Sequence, residues 1–330
     1  MIDVIVPTYN AIKTINDVLL SLYEQTICNK IKVYIIDDNS CYKYDEIALK
    51  FGKFLNVNVL RLNKNMGPGY ARNYGIKNTN SKYIFFMDSD DVLYNCYSLE
   101  FLYNKIEETN SDIVIGNFIE DYVIDKKIIK KDNIWVHGKI YRRQFLKENN
   151  INFNFSRANE DFGFNKLCSF FNPKIEYLNQ TVYVWKYNDE SMTRRNNHEY
   201  IFTGIQGFAY NSYWAVYEAL KRGCDESKCS IQLFSSLYEI YFYYLKFDKI
   251  DKKLSKKILE WCFDLEKMYQ NYKLKIEERE KNYEINRILL KSANTKFLYD
   301  ILNVENKFSD FLTLIEKEGN KNDWHNYTCL

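Results

Sequence analysis

The chain has 330 residues, enough for two domains or for one large domain with an appendage. Lys and Arg (46) nearly balance Asp and Glu (44), and the balance holds separately on either side of residue 200, so neither half carries the basic face of a nucleic-acid-binding protein. With 46% hydrophobic and 27% charged residues, the composition excludes a disordered or fibrous chain.

The opening, MIDVIVPTYN, reads as a strand from residue 2 and lacks the basic and long apolar regions of a signal peptide. No apolar run approaches the roughly 18 residues of a membrane span, and a cytoplasmic protein is expected. The eight cysteines lack any CxxC pair and read as free thiols, and with only His137, His198 and His325 a His/Cys zinc site has little support. Over the first 120 residues, β-branched runs alternate with amphipathic stretches, which implies a parallel sheet wrapped by helices. Strands are predicted at Asp3–Pro7, Lys32–Asp37, Val57–Leu62, Tyr83–Met87 and Asp112–Asn117, and helices at Ile12–Gln25, Tyr44–Phe54, Gly69–Lys77 and Ser98–Thr109. From Ile134 to Tyr187 the pieces shorten: Trp135–Tyr141, a helix near Arg142–Asn149, another at Glu160–Phe170, and a strand near Thr181–Trp185. No proline follows Pro173, and Leu254, Ile258, Trp261, Leu265 and Met268 alternate steps of four and three, a helical spacing. These patterns predict an α/β domain over residues 1–200, with a second half from residue 118 built for a substrate, then a mainly helical domain over 201–330.

Chemistry concentrates at strand ends. The apolar run Tyr83-Ile-Phe-Phe-Met leads straight into Asp88-Ser89-Asp90-Asp91. In an open α/β sheet, ligands bind at the carboxyl ends of strands, where carboxylates can share a hard divalent cation with a diphosphate. A solvated acidic turn capping the next helix is an equal reading of that stretch alone. Strand one ends in Pro7-Thr-Tyr9-Asn10 and strand two in Ile36-Asp-Asp38-Asn-Ser40, an aromatic and an acid placed to stack on and hydrogen-bond a nucleobase. Between Asn63 and Asn73, the Gly67-Pro-Gly69 loop feeds a helix. Its glycines permit close backbone approach, and Arg72, one turn in, can face a phosphate or base.

Taken in order, Pro7-Thr-Tyr-Asn10, Ser21-Leu-Tyr-Glu-Gln-Thr26, Ile36-Asp-Asp-Asn-Ser40, Gly69-Tyr-Ala-Arg-Asn73 and Phe86-Met-Asp-Ser-Asp-Asp91 resemble the family 2 glycosyltransferases of the GT-A fold, over roughly residues 1 to 195. The resemblance implies an α/β, Rossmann-like architecture with a mostly parallel twisted sheet flanked by helices. It also implies inverting transfer of a sugar from a nucleotide sugar, UDP-linked, to a hydroxyl of a bacterial surface glycan, teichoic-acid-like polymer or precursor, with Mn2+ or Mg2+. By the same resemblance residues 1–200 are the catalytic domain, residues 1–117 its nucleotide-binding part and 118–200 its acceptor part, and Pro7, Tyr9, Asp38, Asn65 and Arg72 hold the nucleotide. Asp88, Ser89 and Asp90 match the DxD motif, with Asp90 the stronger metal candidate and Asp88 a ribose or metal contact. Asp91 is assigned to the start of the next helix, where the dipole favours an acid. In Ala158-Asn-Glu160-Asp161-Phe162, Asp161 would be the general base, with Glu160 orienting it or touching the acceptor. Lys139, in Trp135-Val-His137-Gly-Lys139, would contact sugar or phosphate; an added residue before the glycine leaves His137 without a defined role. Arg194, Arg195 and His198 would neutralise the leaving group.

Farther on, the aromatic run Leu237–Leu245 reads as an apolar helix face for core or subunit packing, and Lys249–Lys257 as a solvated helix face. They leave room for a homo-oligomer and for peripheral contact with the inner face of a membrane. Two other functions stay open on the residues alone: a nucleotidyltransferase, and a catalytically silent nucleotide- or glycan-binding module.

Overall fold

The computed structural model describes residues 1–121, 126–188, 198–292 and 305–318. The chain divides into two compact units, Met1–Asn196 and Asn197–Leu330. In the first, the described strands are β1 (Ile2–Thr8), β2 (Ile31–Asp37), β3 (Asn56–Arg61), β4 (Tyr83–Phe86), β5 (Val92–Leu93), β6 (Ile113–Asp121), β7 (Lys126–Ile129), β8 (Lys139–Arg142) and β9 (Ile175–Trp185). They form a sheet of spatial order β3-β2-β1-β4-β8-β6-β9-β5, with β7 added to β6. Its helices are α1 (Ile15–Tyr23), α2 (Asp45–Phe51), α3 (Pro68–Lys77), α4 (Ser98–Thr109), α5 (Arg143–Glu148) and α6 (Glu160–Phe170).

The sequence explains this order. Every residue of β1 and β4 is buried, as expected of strands covered on both faces, whereas β3 at the sheet edge alternates in exposure. Helix α1 buries Ile15, Val18, Leu19 and Leu22, one stripe at helical spacing. Strands β1 to β4 pair in parallel, with Ile2 opposite both Ile31 and Tyr83, so the segments following β1, β2 and β4 leave the same edge of the sheet. Beyond β4 the sheet is mixed: β8 is antiparallel to β4 and to β6, while β9 is parallel to β6 and antiparallel to β5. The sheet is thus uniformly parallel in its first half only. Strands β5 and β7 have no counterpart in the sequence reading, because two and four residues carry too little pattern. The predicted strand Thr181–Trp185 is the second half of the eleven-residue β9.

The second unit contains α7 (His198–Lys221), α8 (Glu226–Ile250), α9 (Lys252–Tyr272), α10 (Glu278–Ser292) and α11 (Glu305–Glu318). Helix α9 buries Leu254, Ile258, Trp261 and Leu265 as the spacing predicts. The aromatic run lies on α8, where Tyr238 and Tyr241 meet Phe308 of α11 at ring distances of 5.1 and 5.5 Å. Lys249–Lys257 is not a single helix face. Helix α8 stops at Ile250, and Asp251 caps α9 by accepting the Leu254 N–H at 3.0 Å, a use of Asp that competes with helix continuation. No helix among the described residues is long and apolar enough to cross a membrane.

Candidate active site

The loops after β1 and β2 are locked together. Asn10 and Asn39 take left-handed backbone conformations (φ 53° and 61°), which Asn tolerates better than most residues. The Asn10 amide N–H donates to Ser40 Oγ, and the Cys41 N–H donates to Asn10 Oδ1. Pro7 is buried within β1, while Tyr9 beyond it is 54% exposed. Asp38 is buried, and its two carboxylate oxygens accept the N–H groups of Met66 (2.7 Å) and Gly67 (2.8 Å). Desolvation raises its pKa against those hydrogen bonds. Asn65 donates Nδ2–H to the Asp38 carbonyl at 3.3 Å. The loop is therefore shaped by Asp38. Gly67 needs its positive φ of 86°, and a Cβ on Gly69 would stand 2.3 Å from the carbonyl oxygen of Asn154. The close approach at Gly69 is made by the 151–157 segment, where the sequence suggested a ligand.

Arg72 on α3 is the centre of the arrangement. It is 3% exposed; Nη1 donates to Glu160 Oε1 at 2.7 Å and lies 3.0 Å from Asp161 Oδ1, and Nη2 donates to Asp88 Oδ1 at 2.8 Å. One guanidinium thus joins the end of β4 to the start of α6. Asn159 enters α6 with φ 58°, turning Glu160 and Asp161 inward as the first helical residues. Both are buried, Asp161 also accepting the Val136 N–H at 3.3 Å. Burial, with the neighbouring Asp161, pushes the Glu160 carboxyl up to about 7 against the pull of Arg72. Burial raises Asp161 too. Burial alone would raise Asp88, but Arg72 and His137 together hold it well below the usual carboxylate range.

Behind Asp88 lies an aromatic box. His137 is buried, its ring stacked on Tyr183 at 5.0 Å and flanked by Trp135, Trp185 and Phe118. Its Nε2 is 3.3 Å from Asp88 Oδ2 and 3.9 Å from Asp91 Oδ2. Tyr183 donates its hydroxyl to Asp91 at 2.7 Å and accepts the Asp88 N–H at 3.1 Å. Asp91 does not start a helix: it is fully buried, accepts the Lys186 N–H at 2.9 Å as well, and leads into β5. Among the described residues Asp88, Asp91 and His137 offer metal-ligating atoms within 4.8 Å of one another. Asp90, outside that group, is partly exposed and accepts from Asn188 Nδ2 at 2.7 Å. The Ser89 carbonyl accepts the Thr14 hydroxyl at 2.7 Å. Lys139 departs from expectation. Its ammonium is 1% exposed and donates to Asp132 at 2.9 Å and to the Trp135 carbonyl, so it braces the 132–135 turn in place of a ligand contact. Arg194 and Arg195 lie outside the described residues, as does the side chain of His198, whose backbone begins α7.

Roles for His137, Tyr183 and Asn188 are absent from the sequence reading. So is that of Asn73, which exchanges two 2.8 Å hydrogen bonds with the backbone of Phe153 and so fixes the segment that leads to Glu160.

A half-parallel α/β sheet with acids, a basic side chain and a glycine-shaped loop on one strand-end edge defines a GT-A-type domain. The fold is shared by S. aureus TarS residues 1–349, solved in complex with UDP-GlcNAc, at TM-score 0.69 and 20% identity, covering 97% of this chain and 93% of that one. Residues 3–164 match the glycosyl transferase family 2 model and form a domain of that family. It is 27% identical over 220 residues to the glycosyltransferase GlyA of Streptococcus pneumoniae, covering 58% of this chain and 31% of GlyA. It is 31% identical over 180 residues to the poly(ribitol-phosphate) beta-N-acetylglucosaminyltransferase TarP of Staphylococcus aureus, covering 48% of this chain and 54% of TarP. The chain thus matches about a third to a half of the length of these two curated relatives.

Proposed function

We propose that this protein transfers a sugar from a UDP-linked donor to a hydroxyl of a wall- or surface-polymer acceptor, inverting the anomeric carbon and using a divalent cation at the diphosphate. The observation that carries this reading is the grip of Arg72 on Asp88 and on both acids of α6. It sets a donor-side carboxylate and two acceptor-side carboxylates around one guanidinium.

In this mechanism Asp161 takes the proton of the acceptor hydroxyl as its oxygen bonds to the anomeric carbon. The bond from that carbon to the diphosphate oxygen breaks on the opposite face, and UDP leaves with the electron pair. Arg72 holds Asp161 in place and favours its ionised form, while Glu160 is kept beside it by the same guanidinium. Five acids (Asp88, Asp90, Asp91, Glu160, Asp161) face two basic groups, Arg72 and His137, an excess of negative charge that suits a cation. Asp88 and Asp90 would hold it, since both are partly open to solvent. Asp91 and His137 are closed off, and the Asp91 oxygens already accept from Tyr183 and Lys186; their role is to orient Asp88. When bound, the cation neutralises charge on the departing diphosphate.

The name of TarP and the ligand in the TarS crystals support UDP-GlcNAc as the first donor to try and poly(ribitol phosphate) as the first acceptor. Incubating the protein with UDP-GlcNAc or UDP-glucose, Mn2+ and that polymer should release UDP and polymer-bound sugar in equal amounts. Tight UDP binding with no transfer from any UDP-sugar to any wall polymer would instead establish a silent binding module.

A further inference from the structure

Helix α1 and the chain that follows the acids of β4 are bonded to each other along the length of the helix. Thr14 stands at the N-cap of α1, where a hydroxyl usually accepts an N–H of its own first turn. Here it does not: α1 has no side-chain cap, and the Thr14 hydroxyl donates across to the Ser89 carbonyl at 2.7 Å, with the Ala11 carbonyl farther off at 3.3 Å. Farther along the helix, Ser21 Oγ accepts the Leu93 N–H at 3.3 Å. Just beyond its end, Gln25 is buried and its amide has three partners. Nε2 donates to the carbonyls of Ser21 (2.9 Å) and Asn95 (2.8 Å), and Oε1 accepts the N–H of Leu99 (3.1 Å) in the first turn of α4. Helix α4 has no side-chain cap of its own, so Gln25 meets one of its open N–H groups from another element. Thr26 adds its N–H to the Cys96 carbonyl at 2.9 Å. The chain from Ser89 to Leu99 is therefore laid along α1, and the run Ser21–Thr26, to which the family resemblance attached no role, is its far anchor.

Resting on the cation reading above, we propose that Thr14 is a positioning residue for Asp90: its hydroxyl fixes the Ser89–Asp90 peptide and so presets the Asp90 carboxylate for the cation. A peptide group is planar, and holding the Ser89 carbonyl also holds the nitrogen and Cα of Asp90. On its other side Asp90 is followed by Asp91, which is fixed through Tyr183 and Lys186. Asn188 meets the Asp90 carboxylate itself at 2.7 Å, so Thr14 supplies the hold on its backbone. The two ends of α1 then do different work. The Leu99 residue is buried, and loss of Gln25 would leave its N–H unpaired and the fold weaker. Thr14 and Ser89 are half-buried, water can replace the lost hydroxyl, and what goes with it is the direction of a carboxylate.

Titration of Mn2+ into the UDP-saturated protein, with free Mn2+ read by its electron paramagnetic resonance signal, tests this beside melting curves without metal. Thr14→Val, which keeps the shape and removes the donor, should weaken Mn2+ about tenfold at an unchanged melting temperature. Thr14→Ser, which keeps the hydroxyl, should stay within about twofold of the wild type. Gln25→Met should do the reverse, lowering the melting temperature while changing Mn2+ affinity by less than about threefold. Unchanged Mn2+ affinity in Thr14→Val, or an equal loss in Thr14→Ser, overturns the assignment. Amide hydrogen exchange of the wild type gives a check that no variant's folding can disturb: the N–H groups of Leu93 and Leu99 should exchange as slowly without UDP and Mn2+ as with them. Protection gained only on binding would overturn a preset loop. Failure of the wild type to take up Mn2+ beside UDP would instead remove the cation reading beneath the proposal, and the role of Thr14 with it.

Discussion

Two arginines, Arg72 buried and Arg143 half-buried, hold opposite ends of the same strands, and they are built differently. Arg143, at the start of α5, donates to the Ser81 carbonyl (2.6 Å), the Ile76 carbonyl (2.8 Å), Thr79 Oγ1 (2.6 Å) and Asp3 Oδ2 (2.8 Å). Asp3, where β1 begins, also accepts the N–H and hydroxyl of Ser81. One cation meets one anion, and the other partners are neutral. Arg72, at the far end, meets three carboxylates while its Nε is buried without a partner. The first cluster is balanced and fastens β1, β4 and α5. The second gathers like charges at a cost that the rest of the fold sustains, and perturbed carboxyls concentrate there.

The same substitution in each cluster should therefore act in opposite directions. Asp161→Asn should lower turnover by about 100- to 10,000-fold with UDP affinity nearly kept. By removing one of three anions around Arg72, it should also stabilise the fold by about 0.5–2 kcal/mol. Asp3→Asn should cost about 3–5 kcal/mol, as is usual for breaking a buried pair, with turnover per folded molecule unchanged. Thermal melting and initial rates read both; melting temperatures that move the same way would break the contrast.

pH sharpens it further. Glu160 titrates near 4.5 in an unfolded chain and near 7 here, so between those values the folded state binds more protons, and stability falls as pH rises through that window. Asp161, also raised, adds to the slope. Asp88, held low, gives the opposite slope in more acid solution. Melting curves from pH 4.5 to 7 should show the decline, and Glu160→Gln should flatten it; an identical slope in the variant would refute this origin. A smaller effect is expected behind the proposed cation site, where His137→Gln should weaken Mn2+ affinity by about 10- to 100-fold through loss of its support for Asp88. Unchanged Mn2+ affinity would make the box around His137 a packing feature only.

Much of the first half of the sheet was legible because buried parallel strands are written as continuous apolar runs, as in Tyr83 to Phe86. Helix α6 coincides with its predicted span for a similar reason: its start combines a left-handed Asn with acids. The identities of Asp88, Arg72, Glu160 and Asp161 could be read locally. That Arg72 grips acids where a ligand contact was expected could not, since Glu160 is 88 residues away. Asp91 misled for the same cause: the Val92–Leu93 strand, paired with β9, and a tyrosine 92 residues on decide its environment. Lys139 was read as a ligand group from the family resemblance of the Trp135–Lys139 segment; its partner, Asp132, lies in a turn that has no periodic pattern.

The two glycines of the loop before α3 supply the finest test. At Gly69 the obstacle is steric, since a Cβ would collide with Asn154, in the segment that Asn73 fastens and that leads to Glu160. Gly69→Ala should cost about 1–3 kcal/mol and lower turnover as well, because the segment must shift. At Gly67 the same Cβ would meet only Arg157, at an ordinary 3.7 Å, and the obstacle is the positive φ. Gly67→Ala should cost about 1 kcal/mol through the backbone alone, with a smaller loss of turnover at saturating donor. The two effects separate because at Gly69 the added Cβ collides with the backbone of that segment, whereas at Gly67 it meets the segment only through a side chain at ordinary contact distance. Equal losses of turnover would mean instead that the loop and the segment move as one body, and that the geometry around Arg72 is set from the β2 side as much as from α6.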